Sequence, residues 1–334
     1  MYVNYYSIKG VTMAKTSKMN RQRCMDFATR ILECFDDLHH DQISAAFNRA
    51  ASIAHKEAKR IGGIRKRGTW GYFLKSLAEG FKHYRQFETE YKRFSIFTTG
   101  NSKLPFKNFS TLPLFTCPGY GECGEWCYSL KAWRYPSAFC RQVLNTVLIK
   151  YNRGAIRRAF MALPRDITLR LYVDGDFDSH KTMALWFNLL HERADIAAYG
   201  YSKSWCLLAT YDDSIHMNPK FGATTPMPRN YMLNMSSGSR YDTPSHDHDQ
   251  LRMKVSQLPI TRGVFGAVQL ENEYKDNSRY DDKQYHKEVR DIGRAEYGNR
   301  VFSCTGNCGA CLPSGEHACG SERMNDVPIL IGIH

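Results

Sequence analysis

The sequence predicts an α/β protein with an all-helical N-terminal region, and three observations carry that prediction. Residues 19–95 place apolar side chains at i, i+3 and i+4 spacing, the stripe of amphipathic helices. From residue 96 onward, short apolar runs of strand character alternate with helical stretches. Polar, glycine-containing or cysteine-containing turns directly follow those runs, where ligands gather in parallel sheets. The expected division is therefore a basic helical region over 1–95 and an α/β domain over 96–334.

Three helices are expected in the first region. RQRCMDFATRILECFDDLHH aligns Met25, Ala28, Ile31, Leu32 and Phe35 on one face. ISAAFNRAASIAHKEAKRI stops at Gly62-Gly63, glycine being the usual residue just past a helix end. After the short basic linker GGIRKRGTW, a third helix through Phe94 carries Tyr72, Phe73, Leu77, Phe81, Tyr84 and Phe87. In the second region the strands are expected in ITLRLYVDGDF, IAAYGYSKSW, NYMLNMSSGS, GVFGAVQL and RVFSC, with a helix in KTMALWFNLLHER. Such alternation builds a largely parallel sheet, open or closed into a barrel. Asp178 or Ser179 is placed to cap the helix after the first of these strands. TPSHDHDQ, with His246 and His248 among aspartates, offers the residues of a metal or proton-transfer site but reads first as a mobile polar loop.

The formal net charge is +13, and residues 1–95 hold 18 Lys and Arg against 9 Asp and Glu. A regional excess of this kind points to a polyanionic partner, and nucleic acid is the expectation, with Arg65, Lys66 and Arg67 in the linker as contacts. No apolar run is long enough to cross a membrane, and MYVNYYSIKGVTMAK lacks the apolar core of an export signal, so a cytoplasmic location is expected.

Of 11 cysteines, seven fall into two clusters. In a reducing compartment clustered thiols hold metal more readily than they form disulfides. TCPGYGECGEWCYSLKAWRYP spaces Cys117, Cys123 and Cys127 as C-x5-C-x3-C with no histidine in the loop. Three thiolates leave one position of a metal centre open, whereas structural zinc takes four protein ligands. SCTGNCGACLPSGEHACGSE holds Cys304, Cys308, Cys311 and Cys319 as C-x3-C-x2-C-x7-C. Four thiolates close a site around either zinc or a [4Fe–4S] cluster.

The first loop resembles the cluster loop of radical S-adenosylmethionine enzymes, although their spacing is C-x3-C-x2-C and this loop is longer. RLYVDGDFDS is similar to the strand-end motif of the spore photoproduct lyase branch, whose substrate is DNA, and YGYSKS falls where that branch has Thr-Lys. The CPG-containing loop with Cys-Tyr, the G-D-F-D-S and Y-S-K-S strand ends and the C-terminal cysteine knot, in that order over about 96–319, resemble the gene-product-88 family of phage and plasmid proteins. The resemblance implies a radical-SAM-like partial (β/α) barrel, a [4Fe–4S] cluster on Cys117, Cys123 and Cys127, and S-adenosylmethionine near Gly175, Asp176, Lys203 and Ser236. Asp176 would hold the methionyl ammonium at a turn, with no part in the fold. Two function classes follow: an iron–sulfur protein acting on or near nucleic acid, or a non-catalytic nucleic-acid binder with structural or redox-sensing iron–sulfur or zinc sites.

Overall fold

The computed structural model describes residues 19–36, 42–62, 66–86, 94–100, 104–211, 226–274, 282–309 and 311–333. The chain divides into two compact units, residues 1–82 with 133–139 and residues 83–132 with 140–334. Among the described residues no helix is long and apolar enough to cross a membrane.

The first unit holds the expected helices α1 (Arg21–Leu32), α2 (Ile43–Ile61) and α3 (Trp70–Lys82). Asn20 caps α1 by accepting the Arg23 amide at 2.9 Å, and Gly62 ends α2 with φ of 74°. The apolar stripes become the core. Phe35 meets Phe47 edge to face with centroids 5.0 Å apart, and Phe27, Trp70 and Trp133 surround Phe139. α3 stops at Lys82, earlier than the expected Phe94, and a 3-10 turn follows at Tyr84–Gln86. The carbonyls of Tyr84 and Arg85, in the second unit, take side-chain donors from Asn152 and Arg158 instead of continuing a helix.

From residue 98 onward the elements run β1 (Thr98–Thr99), β2 (Lys107–Asn108), α4 (Cys123–Trp126), α5 (Pro136–Tyr151), α6 (Arg153–Met161), β3 (Thr168–Leu171), α7 (His180–Glu192), β4 (Ala197–Ser202), α8 (Trp205–Ala209), β5 (Tyr231–Ser236), α9 (His246–Ser256), β6 (Thr261–Gln269), α10 (Lys283–Tyr297), β7 (Phe302–Ser303) and β8 (Ile329–Ile333). The sheet order is β1-β2-β3-β4-β5-β6-β8-β7, with every pairing parallel except β1 with β2. This is the mixed α/β sheet the alternation implies. It is open: β1 and β7 are its edges among the described residues, and no closure into a barrel is seen.

Two aromatic-rich cores cover the sheet. Trp186 of α7 packs on Phe97, Phe109 and Phe160 and donates to the Tyr172 hydroxyl at 2.9 Å. Arg170, Tyr199 and Met232 pair in register on β3, β4 and β5, so they share one face. Tyr199 packs there with Ala318, Cys319 and Ile329, bordered by Tyr201, Met232, Phe265, Cys304 and Cys311.

TPSHDHDQ is not a loop beyond Ser245. Ser245 accepts the His248 amide at 3.2 Å and opens α9, and Asp247 and Asp249 favour the positive end of that helix. His248 Nδ1 lies 2.8 Å from the Thr243 carbonyl and His246 Nε2 lies 2.8 Å from the Gln250 amide nitrogen, so both rings are engaged locally.

Candidate functional site

Parallel strands bring their carboxyl ends to one edge, and the residues that follow β3, β4 and β5 meet there. The turn after β3 reverses through Gly175, with φ of 84°; a Cβ there would overlap the Thr111 hydroxyl, so the position needs glycine on both counts. Asp176, 3% exposed, points its carboxylate along this edge. One oxygen accepts the Phe177 amide at 2.7 Å; the other accepts the amides of Lys203 at 2.7 Å and Ser204 at 3.1 Å. Asp176 thus binds the end of β3 to the end of β4. Burial pushes its carboxyl above the ordinary range, and these hydrogen bonds oppose the rise. Lys203 Nζ reaches on to the Ser236 hydroxyl at the end of β5, at 2.7 Å.

The three-cysteine loop is laced onto the same edge. The amides of Gly121 and Cys123 donate to the Gly238 carbonyl at 3.1 and 3.2 Å, and the Arg240 amide returns to the Gly119 carbonyl at 3.0 Å. The Ser239 hydroxyl bonds both the Gly119 and Lys203 carbonyls at 3.1 Å. A Cβ on Gly119 would collide with the Lys203 carbonyl, so glycine is what lets the loop lie this close. Burial raises the thiols of Cys117 and Cys123; Asp176 and Cys127 add to the rise and Lys203 opposes it. The structure therefore brings Cys117, Cys123, Cys127, Gly175, Asp176, Lys203 and Ser236 together at one end of the sheet.

The second cluster follows β7. Cys304 is pushed up by burial and then by Cys319, Cys308 and Cys311, so the four sulfurs lie within mutual electrostatic reach. Its sulfur accepts the Gly306 amide at 3.3 Å, and that of Cys311 accepts the Ala318 amide at 3.1 Å. Cys319 is raised to about 11 by burial, with Tyr201, Arg262 and Arg170 holding it down. All described cysteines are free thiols, and among the described residues no three His, Cys, Asp or Glu side chains stand in a ready metal-holding geometry.

Lys66 and Arg67 are exposed in the first unit; Arg65 lies outside the described residues. Sequence reasoning missed Arg170, Tyr199, Tyr201, Asn234 and Arg262. The available signal was a charge out of pattern: Arg170 interrupts ITLRLYV and Arg262 is the second residue of the TRGVFGAVQ strand.

The family model for gene product 88 matches residues 75–311. The chain belongs to the gene product 88 family. The match begins inside α3, earlier than the resemblance at 96 suggests, and ends at Cys311, short of Cys319. No curated protein and no solved structure matches the chain. The likeness to radical S-adenosylmethionine enzymes therefore finds no support in these comparisons.

Proposed function

We propose that this member of the gene product 88 family is a metal–thiolate protein of a mobile element, acting on or near nucleic acid in the cytoplasm. In this reading Cys117, Cys123 and Cys127 hold a [4Fe–4S] cluster, and Cys304, Cys308, Cys311 and Cys319 hold a second cluster or zinc. The open sheet is then a radical-SAM-like partial barrel. The observation that carries the reading is the lacing of the three-cysteine loop onto the ends of β4 and β5, beside Lys203 and Ser236. The donor chemistry fits. The Lys203 ammonium offsets thiolate charge at the first centre, and backbone amides donate to Cys304 and Cys311 sulfurs at the second.

A cluster with one open iron supplies one-electron chemistry to S-adenosylmethionine when bound. The chain's own contribution is positional. Lys203 and Ser236 offer polar groups beside the thiols, while Asp176 holds the turn that presents Lys203. One observation favours the second reading, a non-catalytic nucleic-acid binder with structural or redox-sensing centres. Both oxygens of Asp176 already accept backbone amides, so a ligand ammonium would compete with bonds that hold the edge together.

Protein purified without oxygen is expected to be brown, with a broad shoulder from thiolate-to-iron charge transfer, and to contain iron and sulfide. Changing Cys117, Cys123 and Cys127 together to Ala should remove about half of the iron if the second centre is a [4Fe–4S] cluster, and nearly all if it is zinc. Addition of S-adenosylmethionine to the reduced protein should perturb the cluster spectrum in the enzyme reading and leave it unchanged in the binder reading. A colourless, iron-free protein that takes up no iron on reconstitution would end the iron–sulfur proposal.

A further inference from the structure

Two arginines are built into the sheet face that carries the second cysteine cluster, and neither has an acidic partner. Arg262 is 1% exposed, and its guanidinium is satisfied by neutral acceptors: the Asn234 side-chain oxygen at 2.6 Å and the carbonyls of Val327 at 2.9 Å, Val264 at 3.0 Å and Met324 at 2.5 Å. Arg170 lies over the Tyr201 ring at 4.7 Å, and its buried Nε has no hydrogen-bond partner among the described residues. The hydroxyl of Tyr199, in register with Arg170 and 1% exposed, is likewise without a partner there. No ion pair within the described residues joins either arginine to a carboxylate. Asp174 acts on Arg170 and Asp326 on Arg262 only through space, and Asp174 spends its own oxygen on Gln142 at 2.9 Å.

A buried guanidinium with no counter-charge is costly, and proteins retain such charges where something anionic is meant to face them. The Cys319 thiol lies within electrostatic reach of both. Tyr201, on which Arg170 lies, borders the core cluster of Tyr199, Ala318 and Cys319, together with Cys304 and Cys311. Asn234, the acceptor of Arg262, donates to the Cys319 carbonyl at 2.9 Å. Four thiolates around a divalent metal, or around an oxidised [4Fe–4S] core, carry about two net negative charges. The buried Arg262 guanidinium and the half-buried Arg170, whose Nε is covered, match that charge.

We infer that Arg170, with Arg262, is the built-in counter-charge of a four-thiolate metal centre on Cys304, Cys308, Cys311 and Cys319. The inference rests on the metal reading of that cluster. Arg170 acts through the thiolates and is a positioning residue; it ligates nothing. Arg262 also ties β6 to the Met324–Val327 segment, so Arg170 is the residue to test.

The test uses the full chain with Cys117, Cys123 and Cys127 changed to Ser, so that zinc reports the second centre alone. Zinc affinity is measured by competition with a chromogenic chelator, and melting temperature is measured with and without zinc. Arg170→Met, of similar length and uncharged, should weaken zinc binding by about 10- to 100-fold, and Arg170→Lys should recover most of it. The melting temperatures should cross. Zinc-free Arg170→Met should melt at or above its parent, having lost a half-buried charge with no ion-pair partner, while the zinc-loaded variant should melt below the loaded parent. Equal zinc affinity in parent and Arg170→Met overturns the inference and leaves the metal reading standing. An equal fall in melting temperature with and without zinc, or failure of the zinc-free variant to fold, overturns it in favour of packing. A parent that binds no zinc overturns the metal reading of this cluster, and the counter-charge with it.

Discussion

A buried carboxylate must find its hydrogen bonds inside the protein, and Asp176 finds three backbone amides, two of them on residues 27 and 28 positions further along the chain. Read as a ligand group at a turn, it would be neutral to stability; its bonds predict otherwise. Asn keeps the size but replaces one acceptor oxygen with a donor, which must then face either the Phe177 amide or the pair from Lys203 and Ser204. Asp176→Asn is expected to cost on the order of 1.5–3 kcal/mol, read as a lower melting temperature of metal-free protein. Unchanged melting would return Asp176 to the role of a ligand group with no part in the fold. Glycines 175 and 119 were legible as turn residues, but the reason each must be glycine lies in partners far along the chain, Thr111 for one and Lys203 for the other. Arg170 was hidden differently. Its charge breaks the apolar run of ITLRLYV, but the register with Tyr199 is what puts it on the face that carries the second cysteine cluster.

At the level of elements, α1 and α2 are joined by one buried carboxylate. Glu57, 3% exposed, bonds Arg60 at 2.8 Å within α2 and Arg23 of α1 at 3.1 Å. Burial pushes its carboxyl up, but the Arg60 and Arg23 guanidiniums together outweigh burial and hold it below the ordinary glutamate range. A depressed carboxyl contributes stability above its unfolded titration, and that contribution is lost as pH falls through the folded one. Glu57→Gln should therefore cost about 1–2 kcal/mol at neutral pH, limited by the solvent exposure of Arg60. The difference from wild type should close as the pH falls below about 4. Chemical denaturation of both proteins across that range checks it, and a constant difference would mean that packing sets the cost.

α1 to α3, α7 and β3 to β7 could be read because each is a local pattern: an apolar stripe that ends at Gly62, or an apolar run followed by a polar turn. β8 was not read as a strand, because PILIGIH is a brief apolar run whose meaning comes only from insertion between β6 and β7. β1 and β2, two residues each, are too short to show a period. α9 has no apolar stripe to betray it, only the Ser245 cap.

For the whole molecule, the two cysteine clusters were plain in the sequence as groups, while their placement came from the sheet: one at the ends of β3 to β5, the other after β7 and against β4. The regional charge makes a separate prediction. If the basic N-terminal region meets nucleic acid through phosphates, log affinity should fall linearly with log salt, by roughly 0.7 to 0.9 per phosphate neutralised. Charge reversal at Arg65, Lys66 and Arg67 should weaken binding of unrelated sequences alike and flatten that slope. Electrophoretic mobility or anisotropy titrations at several salt concentrations measure it, and an unchanged slope would move the interface elsewhere.

The strand order also carries a timetable. β7 pairs only with β8 among the described residues, and β8 is translated after it, with the cysteine segment between them. As the polypeptide leaves the ribosome, Cys304, Cys308, Cys311 and Cys319 all emerge before the strand that anchors β7 exists. Until β8 slides in between β6 and β7, those four thiols hang from an unpaired edge, reactive toward oxidants and stray metal alike. If these thiols hold a metal, its uptake is expected to come late, after the insertion of a five-residue strand.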